Sequence, residues 1–439
     1  MNLINEEEKR QTNTLTLIPS ENYASGAVRL AMGSVFANKY AEGYPGKRYY
    51  QGNRVVDELE RECQEAVKKL FGVPHVNVQP WSGAAANLAI LWALRTSNED
   101  VQLSQHLSSG GHLSMGQEVS VTSVIMNPEY YHLTADGEIN WKELEEQAQK
   151  YRPRIIWAGG TAYTKFFDWK RYESIAKQTG AYFVADISHI GGLVAGGVHP
   201  SPVPFADVVM TTTHKSLRGP RGALIMVTEK GLKRDPDLPK KIDKAVFPGV
   251  QGGPHMETVA AILVAAQEAA EPGFGIYARQ VVDNAKMLAE ELKTKGYKLV
   301  GGGTENHMVW VDLSAKGIDG WAAAWVLETI GLIANRQTVP EENRSAYYPS
   351  GLRLGTPAAT TRGMKEKEMK QIAAWIDIGI GTAICNYGSL LLDMGGPTSD
   401  KEADQTARKE FKKRISEDKD LESVRLEVEA VCRSFPVPD

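Results

Sequence analysis

The sequence predicts a doubly wound α/β protein, with a large domain on a mostly parallel sheet and a smaller C-terminal α/β domain. Short apolar runs with β-propensity alternate with segments of helical period through the first half of the chain. Their apolar character suits parallel strands that are buried on both faces. The 439 residues, 42% of them hydrophobic, are enough for two or three folding units.

The alternating pattern gives a specific set of elements for the large domain. The predicted strands are residues 75–79, 121–126, 154–158, 181–185, 208–212 and 223–227. The predicted helices are residues 55–71, 84–95, 140–151 and 169–179, the last with Gly180 as its C-cap.

A second domain is indicated where Pro and Gly interrupt the pattern at residues 268–280. A long helix at 279–295 and a strand at 308–313 are predicted beyond the interruption, and the charged tail at 397–439 has helical spacing. We therefore expect an N-terminal arm at 1–25, a large domain at 26–272 and a small domain at 273–439.

Composition excludes several classes of protein. Lys and Arg number 50 against 54 Asp and Glu, a net charge of −4 that offers no general surface for nucleic acid. The three cysteines form no framework for disulfides, which favours a reducing compartment. The N-terminus is polar and acidic, unlike a signal or transit peptide. The longest apolar stretches are interrupted by charge or are expected to be too short to cross a bilayer. A cytoplasmic protein without a membrane partner is expected.

Lys215 is the first candidate for chemistry. It follows the predicted strand 208–212, at a strand end where α/β proteins build their sites. A partly desolvated lysine near other cations has a lowered pKa and can form a Schiff base with a carbonyl, as in pyridoxal phosphate enzymes. An isolated lysine is more often a solvated surface residue, so its neighbours have to decide between the two interpretations.

Two further groups support the same chemistry. Asp186 follows the strand 181–185, and a carboxylate in that place can keep a pyridinium nitrogen protonated. His189 is three residues further on. Ser82 and Gly83 open a helix directly after a strand, where free amides attract a phosphate, although an ordinary serine N-cap would look the same. The histidine spacing supports no metal site, and neither a P-loop nor a dinucleotide-binding motif is present.

The order of these elements resembles the aspartate-aminotransferase-like fold, fold type I, of pyridoxal phosphate enzymes. Longer motifs are similar to those of the serine hydroxymethyltransferase family across nearly the whole chain: LIPSENYAS, NKYAEGYPGKRYYQG, SSGGHLSMG, TTTHKSLRGPRG, FPGVQGGPHME and SGLRLGTPAATTRG. The resemblance implies a transferase of one-carbon metabolism that exchanges serine and tetrahydrofolate with glycine and 5,10-methylenetetrahydrofolate. Pyridoxal phosphate would be the cofactor, tetrahydrofolate the co-substrate, and a homodimer with shared active sites the assembly.

The resemblance also implies roles for individual residues around the cofactor. Lys215 would hold it covalently, Asp186 would bind the pyridinium nitrogen, and His112 would stack on its ring. Gly252 and Gly253 would come from a neighbouring subunit to complete the phosphate site. The remaining cofactor contacts implied by the family are Ser82, Gly83, Ala84, Thr161, His189 and His214.

Substrate and folate residues follow from the same motifs. Arg353 would pair bidentately with the substrate carboxylate, a geometry that suits a guanidinium. Glu42 would transfer protons near the substrate hydroxyl and folate, with His214 adjoining the catalytic lysine. Ser20, Tyr40 and Tyr50 would complete the substrate pocket, the tyrosines partly across the dimer interface. The folate would contact Leu107, Gly111, Leu113 and Gln337.

Three positions depart from the family pattern. Ala84 stands where a hydroxyl residue is frequent, Trp81 where His or Tyr is usual, and Gln337 where an Asn commonly recognises the pterin. A folate-independent aldolase or transaldolase for β-hydroxy amino acids is the alternative function, against which the retained Glu42 loop argues. A non-catalytic binding protein on this scaffold would lack the lysine, and Lys215 is present.

Overall fold

The computed structural model describes residues 2–394 and 401–438. The strands are β1 Leu15–Thr16, β2 Gly43–Tyr44, β3 Lys47–Arg48, β4 His75–Asn77, β5 Val101–Gln105, β6 Asn127–Tyr131, β7 Ile155–Ala158, β8 Tyr182–Asp186, β9 Val208–Thr212, β10 Ala223–Val227, β11 Lys298–Leu299, β12 Met308–Asp312, β13 Leu332–Ile333, β14 Asn335–Gln337 and β15 Gly351–Gly355.

Helices separate most of these strands. They are α1 Asn2–Asn13, α2 Gly26–Met32, α3 Arg54–Phe71, α4 Gly83–Leu94, α5 Thr122–Ile125, α6 Trp141–Tyr151, α7 Trp169–Thr179, α8 Gly191–Ala195, α9 Glu229–Arg234, α10 Leu238–Lys244, α11 Met256–Ala270, α12 Pro272–Thr294, α13 Gly320–Thr329, α14 Pro357–Thr361, α15 Glu366–Asp393, α16 Lys401–Ser416 and α17 Lys419–Ser434. Shorter helical turns lie at Val35–Asn38, Leu107–Ser109, Ala245–Val250 and Val300–Gly302.

The large sheet has the order β4-β10-β9-β8-β7-β5-β6. Strands β9, β8, β7, β5 and β6 run parallel, whereas β10 is antiparallel to both of its neighbours. Every residue of β7, β8, β9 and β10 is buried. This burial on both faces explains why these strands are continuous apolar runs, and it confirms the predicted α/β class with a mostly parallel sheet.

Helix boundaries in this region agree closely with the sequence pattern because local signals define them. Asp168 accepts a hydrogen bond from the Arg171 amide at 3.0 Å and begins α7, and Gly180 ends the helix with φ of 77°. Asn140 caps α6 in the same way, accepting from the Glu143 amide at 3.2 Å.

The predicted strand 121–126 is wrong. Residues Thr122–Ile125 form a short helix, and the strand begins at Asn127. Strand β6 lies at the edge of the sheet, where Pro128 is tolerated and a polar sequence suffices. Strand β5 was not predicted, because its buried Gln102 and Ser104 hide the apolar pattern. The Gln102 side chain is hydrogen-bonded to the carbonyls of Thr122 and Met126 at 2.9 and 2.8 Å.

The small sheet is antiparallel, in the order β11-β12-β15-β14. Helices α13 and α15 to α17 cover a second core that includes Trp375, Phe411 and Val428. The predicted helical tail is confirmed for α16 and α17, while residues 397–400 and Asp439 lie outside the described residues. Strand β1, within the predicted arm, pairs parallel with β13 next to this sheet.

Helix α12 begins seven residues before its predicted start at 279. Proline lacks the amide hydrogen that an α-helix leaves unpaired in its first turn, so Pro272 opens the helix rather than interrupting it. The chain bends by 83° between α11 and α12.

By length and composition, α15 could cross a membrane, and so could α11 and α12 taken together across their bend. Ile372, Trp375 and Ile376 of α15 are buried in the second core, whereas Ile378 and Leu392 are exposed. Core helices of this kind satisfy the same criteria, so α15 is assigned to the core.

Candidate active site

A cavity of about 460 Å³ opens at the carboxyl ends of the parallel strands. It is lined by fifteen of the residues selected from the sequence: Ser20, Ser82, Gly83, Ala84, Leu107, Gly111, His112, Leu113, Thr161, Asp186, His189, His214, Lys215, Gln337 and Arg353. These residues come from segments more than 300 positions apart, so the fold itself assembles the group.

Lys215 lies just beyond the end of β9 and is 8% exposed. Its Nζ donates to the Thr212 Oγ1 at 3.0 Å. Burial lowers the pKa of Lys215 to about 8, with Arg353 and Arg221 adding to this effect and Asp186 opposing it. The lowered pKa makes the neutral amine, the form that attacks a carbonyl, far more abundant near neutral pH.

Asp186 is the last residue of β8 and is held by two donors. The Asn87 Nδ2 donates to its Oδ2 at 3.0 Å, and the Ser188 amide donates to its Oδ1 at 3.0 Å. The same Asn87 group donates to the Ser114 Oγ at 2.9 Å, which in turn lies 2.7 Å from the His112 Nδ1. A continuous polar chain therefore fixes both the carboxylate and the His112 ring.

Two histidines near Lys215, the buried His189 and the partly buried His214, are held neutral. Desolvation, with nearby Lys215, lowers the pKa of His189 well below its usual value and that of His214 to about 3. The His189 ring stacks on His307, with Nδ1 and Nε2 3.4 Å apart. The His214 Nδ1 is buried and has no hydrogen-bond partner among the described residues, which leaves it available to a bound group.

The opposite wall is the N-terminus of α4. The Ser82 Oγ accepts from the Ala85 amide at 3.3 Å, which leaves the amides of Gly83 and Ala84 free for an anion. A Cβ on Gly83 would lie 2.8 Å from the Thr212 Cγ2, so glycine is required for the close approach of α4 to β9.

Arg353 lies in the middle of β15 with only 8% exposure. Its Nε donates to the Asn335 Oδ1 at 3.3 Å, and its Nη1 donates to the Thr161 carbonyl. Burial lowers the pKa of Arg353 to about 10, a value at which the guanidinium is still charged at neutral pH. The Thr161 Oγ1 donates to the carbonyls of Gly110 and Gly111, at 3.1 Å each.

The five other predicted residues do not line this cavity; they form a separate tyrosine–glutamate cluster. The Tyr40 hydroxyl donates to the Glu42 Oε1 at 3.4 Å, and the Tyr40 and Tyr50 rings meet edge to face with centroids 5.3 Å apart. Gly252 and Gly253 pack on Glu42 and Tyr40. Tyr40 is 56% exposed and Tyr50 is 47% exposed, so the cluster lies open on the surface of the chain.

The cavity fits pyridoxal phosphate. It offers a buried amine, a fixed carboxylate, free amides at a helix N-terminus and an unpaired buried histidine nitrogen, which are complementary to an aldehyde, a pyridinium, a phosphate and a polar ring substituent. Within residues 2–394 and 401–438, no group of three or more His, Cys, Asp or Glu side chains is arranged to hold a metal ion.

Several supporting residues of the cavity are not evident from the sequence. Asn87 is the one polar residue of the apolar helix α4, and that isolation was the available signal for a buried hydrogen bond. Thr212 ends the strand before Lys215, and Arg221 closes the same loop. Ser114 and His307 gave no signal, because their partners are distant in sequence.

The fold and the cavity define a class: the pyridoxal phosphate-dependent enzymes of fold type I, which place a lysine and an aspartate at adjacent strand ends of a mostly parallel sheet. Residues 1–376 match the family model of serine hydroxymethyltransferase. The chain belongs to this family.

Three curated relatives support the same family. The chain is 52% identical over 376 residues to a serine hydroxymethyltransferase of Acidothermus cellulolyticus, covering 85% of this chain and 86% of the relative. It is 44% identical over 437 residues to that of Sorangium cellulosum, covering 99% of this chain and 94% of the relative. It is 48% identical over 375 residues to that of Desulfotalea psychrophila, covering 85% of this chain and 86% of the relative. The protein is therefore a hydroxymethyltransferase that interconverts serine and tetrahydrofolate with glycine and 5,10-methylenetetrahydrofolate, with pyridoxal phosphate as its cofactor.

Proposed function

We propose that this reaction takes place in the cavity at Lys215, with each residue in the role that its position supports. The main support for this proposal is the buried Lys215 amine, which lies near the hydrogen-bonded Asp186 carboxylate. When bound, pyridoxal phosphate supplies an electron sink for negative charge on the substrate Cα. Lys215 would hold the cofactor at its carbonyl, Asp186 would pair with its ring nitrogen, and Ser82 with the amides of Gly83 and Ala84 would hold its phosphate.

The histidines shape the rest of the cofactor site. His112, whose orientation is fixed by Ser114, would stack on the ring face. His189 and Thr161 would contact the cofactor near its ring oxygen, and His214 would adjoin Lys215. Because burial keeps His189 and His214 neutral, each ring has one donor and one acceptor nitrogen; the His189 Nδ1 pairs with His307, which leaves its Nε2 for the cofactor.

Arg353 and Ser20 bind the substrate carboxylate. The Arg353 side chain is buried and anchored to Asn335 and to the Thr161 carbonyl, so its guanidinium is oriented before the substrate arrives. A planar, preorganised cation pairs with both oxygens of a carboxylate, which holds the amino acid in one orientation.

The folate edge of the cavity is formed by Leu107, Gly111, Leu113 and Gln337. Leu113 is 48% exposed, which suits a contact with the aromatic linker of a large co-substrate at the cavity mouth. The Gln337 amide recognises the pterin one methylene further out than the asparagine common in the family. Ala84 offers no hydroxyl, so the phosphate has one side-chain hydrogen bond fewer than the family often supplies.

The working assembly is a homodimer that shares its active sites. The tyrosine–glutamate cluster is exposed, and Trp81, 40% exposed, stacks on His255 beside it with ring centroids 5.4 Å apart. In this arrangement Glu42, Tyr40 and Tyr50 serve the partner's cavity, where Glu42 transfers protons, and Gly252 and Gly253 complete the partner's phosphate site. In an isologous interface, each subunit places its tyrosine–glutamate cluster at the cavity of the other.

Mixing two inactive variants tests this arrangement. Lys215→Gln removes the cofactor anchor and Glu42→Gln removes the proton-transfer group, so each homodimer should be inactive. Random exchange of subunits makes half of the dimers hybrid, each with one intact site, and should restore about a quarter of wild-type activity. No restored activity after proven subunit exchange would show that Lys215 and Glu42 act within one chain.

We also propose that the protein works in the cytoplasm and keeps the domain limits 1–25, 26–272 and 273–439. Its three cysteines are free, and Cys63 and Cys432 are buried thiols, which suits a reducing compartment. Limited proteolysis followed by mass spectrometry tests the domain limits, since early cuts are expected near residues 25 and 272.

A further inference from the structure

Segment 338–350 connects the folate edge of the cavity to the strand that carries Arg353. We propose that Arg408, on α16, is a positioning residue that holds this segment and thereby sets the affinity for folate. The inference rests on the folate edge proposed above. Helix α16 lies beyond the residues 1–376 that the family model matches, so the family match assigns nothing to Arg408.

The segment is attached directly to the cavity wall at its start. Gln337 lines the cavity, and the next residue, Thr338, donates from its Oγ1 to the Ser108 carbonyl at 3.1 Å. The Trp310 Nε1 donates to the Thr338 carbonyl at 3.1 Å. Since Ser108 adjoins Leu107 of the folate edge, a displacement of Thr338 moves both sides of that edge.

The segment behaves as one closed unit because Glu342 bonds to it at several points. Its Oε1 accepts from the Ser350 Oγ at 2.8 Å and from the Arg344 amide at 3.0 Å. Its Oε2 accepts from the Ser350 amide at 2.7 Å and from the Val339 amide at 3.4 Å. Whatever fixes the middle of the segment therefore also fixes its two ends.

Arg408 contacts the segment directly at Tyr348 and is linked to it a second time through Asp319. Its guanidinium lies 3.7 Å from the centroid of the Tyr348 ring. Its Nη2 donates to the Asp319 Oδ2 at 2.8 Å, and the Arg344 Nη1 lies 3.3 Å from the same oxygen. The Nε of Arg408 reaches both carboxylate oxygens of Asp404 at 3.1 Å, which orients the guanidinium from its own helix.

The ion pair between Arg408 and Asp319 is buried, which strengthens its hold on the segment. The side chains of Arg408 and Asp319 are each 3% exposed, so water cannot substitute for the lost contacts. Removal of the guanidinium leaves the half-exposed Arg344 as the remaining cation at the buried Asp319 Oδ2 and takes the cation away from the Tyr348 ring. The segment should then loosen, while Arg353 stays in place because β15 is hydrogen-bonded to β12 and β14 on both sides.

The test compares Arg408→Gln with Arg414→Gln. Arg414 is on the same helix and also pairs with an acid four residues earlier, Glu410 at 2.7 Å. Unlike Arg408, it is exposed, and this ion pair does not involve segment 338–350. In the holoenzyme, Arg408→Gln should raise the KM for tetrahydrofolate about tenfold and leave kcat and the KM for serine within about twofold. Hydrogen exchange of amides 338–350 should accelerate in Arg408→Gln only.

A second pair of variants covers the case in which Arg408→Gln does not fold. Tyr348→Leu removes the ring contact and keeps every charge, whereas Tyr348→Phe keeps the ring. Tyr348→Leu should raise the folate KM and the exchange of the segment, and Tyr348→Phe should restore both. If the folded variants leave the folate KM unchanged, the role of Arg408 is refuted.

Gln337→Ala separates this inference from the proposal beneath it. A raised folate KM in Gln337→Ala, with unchanged values in Arg408→Gln and Tyr348→Leu, would refute the positioning role and leave the folate edge intact. An unchanged folate KM in all three variants would refute the folate edge itself.

Discussion

The Lys215 amine of the cofactor-free protein should lose its proton near pH 8. Burial is the main cause of the lowered pKa, which falls from 10.5 to about 8. A difference of about 2.5 units makes the neutral amine roughly 300-fold more abundant at pH 7 than in an ordinary lysine. That increase is the contribution of the cavity to carbonyl attack before any substrate binds.

Two substitutions should move this midpoint in opposite directions. Arg353→Leu removes a neighbouring positive charge and should raise the pKa of Lys215. Asp186→Asn removes the negative charge that stabilises the protonated amine and should lower it. The opposite signs separate the electrostatic explanation from a general loosening of the site, which would raise the pKa in both variants.

Pulse labelling with acetic anhydride between pH 6 and pH 11 measures the midpoint. Mass spectrometry of the peptide that carries Lys215 gives the labelling rate, and the exposed Lys142 in the same sample is the reference. A Lys215 midpoint equal to that of Lys142 would refute the reasoning, as would shifts of the same sign in the two variants.

Three further changes test other parts of the site. Asn87→Leu removes a donor from Asp186 and should lower kcat about tenfold and weaken cofactor binding, measured by titration of the cofactor-free protein. Gly83→Ala places a Cβ 2.8 Å from a threonine methyl of β9 and should also weaken cofactor binding, whereas Gly381→Ala, with open space around it, should not; equal affinities would contradict the packing argument. Arg353→Lys should raise the KM for serine on the order of 100-fold, because a point charge replaces a bidentate pair, and an unchanged KM would remove this residue from the carboxylate site.

The sequence was most informative where local chemistry determines structure. The apolar runs of β8 and β9 predicted strands within one residue of their observed limits, and Gly180 correctly marked the end of α7. The edge strand β6 was missed because an edge strand needs neither burial on both faces nor an apolar pattern.

The residues of the site also differ in whether local sequence can identify them. Residues directly after strands, such as Asp186 and Lys215, could be selected from the sequence because parallel strand ends meet at one edge of the sheet. Asn87 and His307 could not, because their roles depend on contacts that the fold creates between distant segments. The position of Glu42 outside the cavity could not be predicted from the sequence either, since it depends on where the hairpin β2–β3 lies.

The rate at which the holoenzyme forms glycine from serine, with and without tetrahydrofolate, is the most direct test of the assigned reaction. Glycine formation should be rapid only with tetrahydrofolate and should be lost in Lys215→Gln. Equal rates with and without folate would contradict the assignment and favour a folate-independent aldolase, and unchanged turnover in Lys215→Gln would contradict the role of the buried lysine.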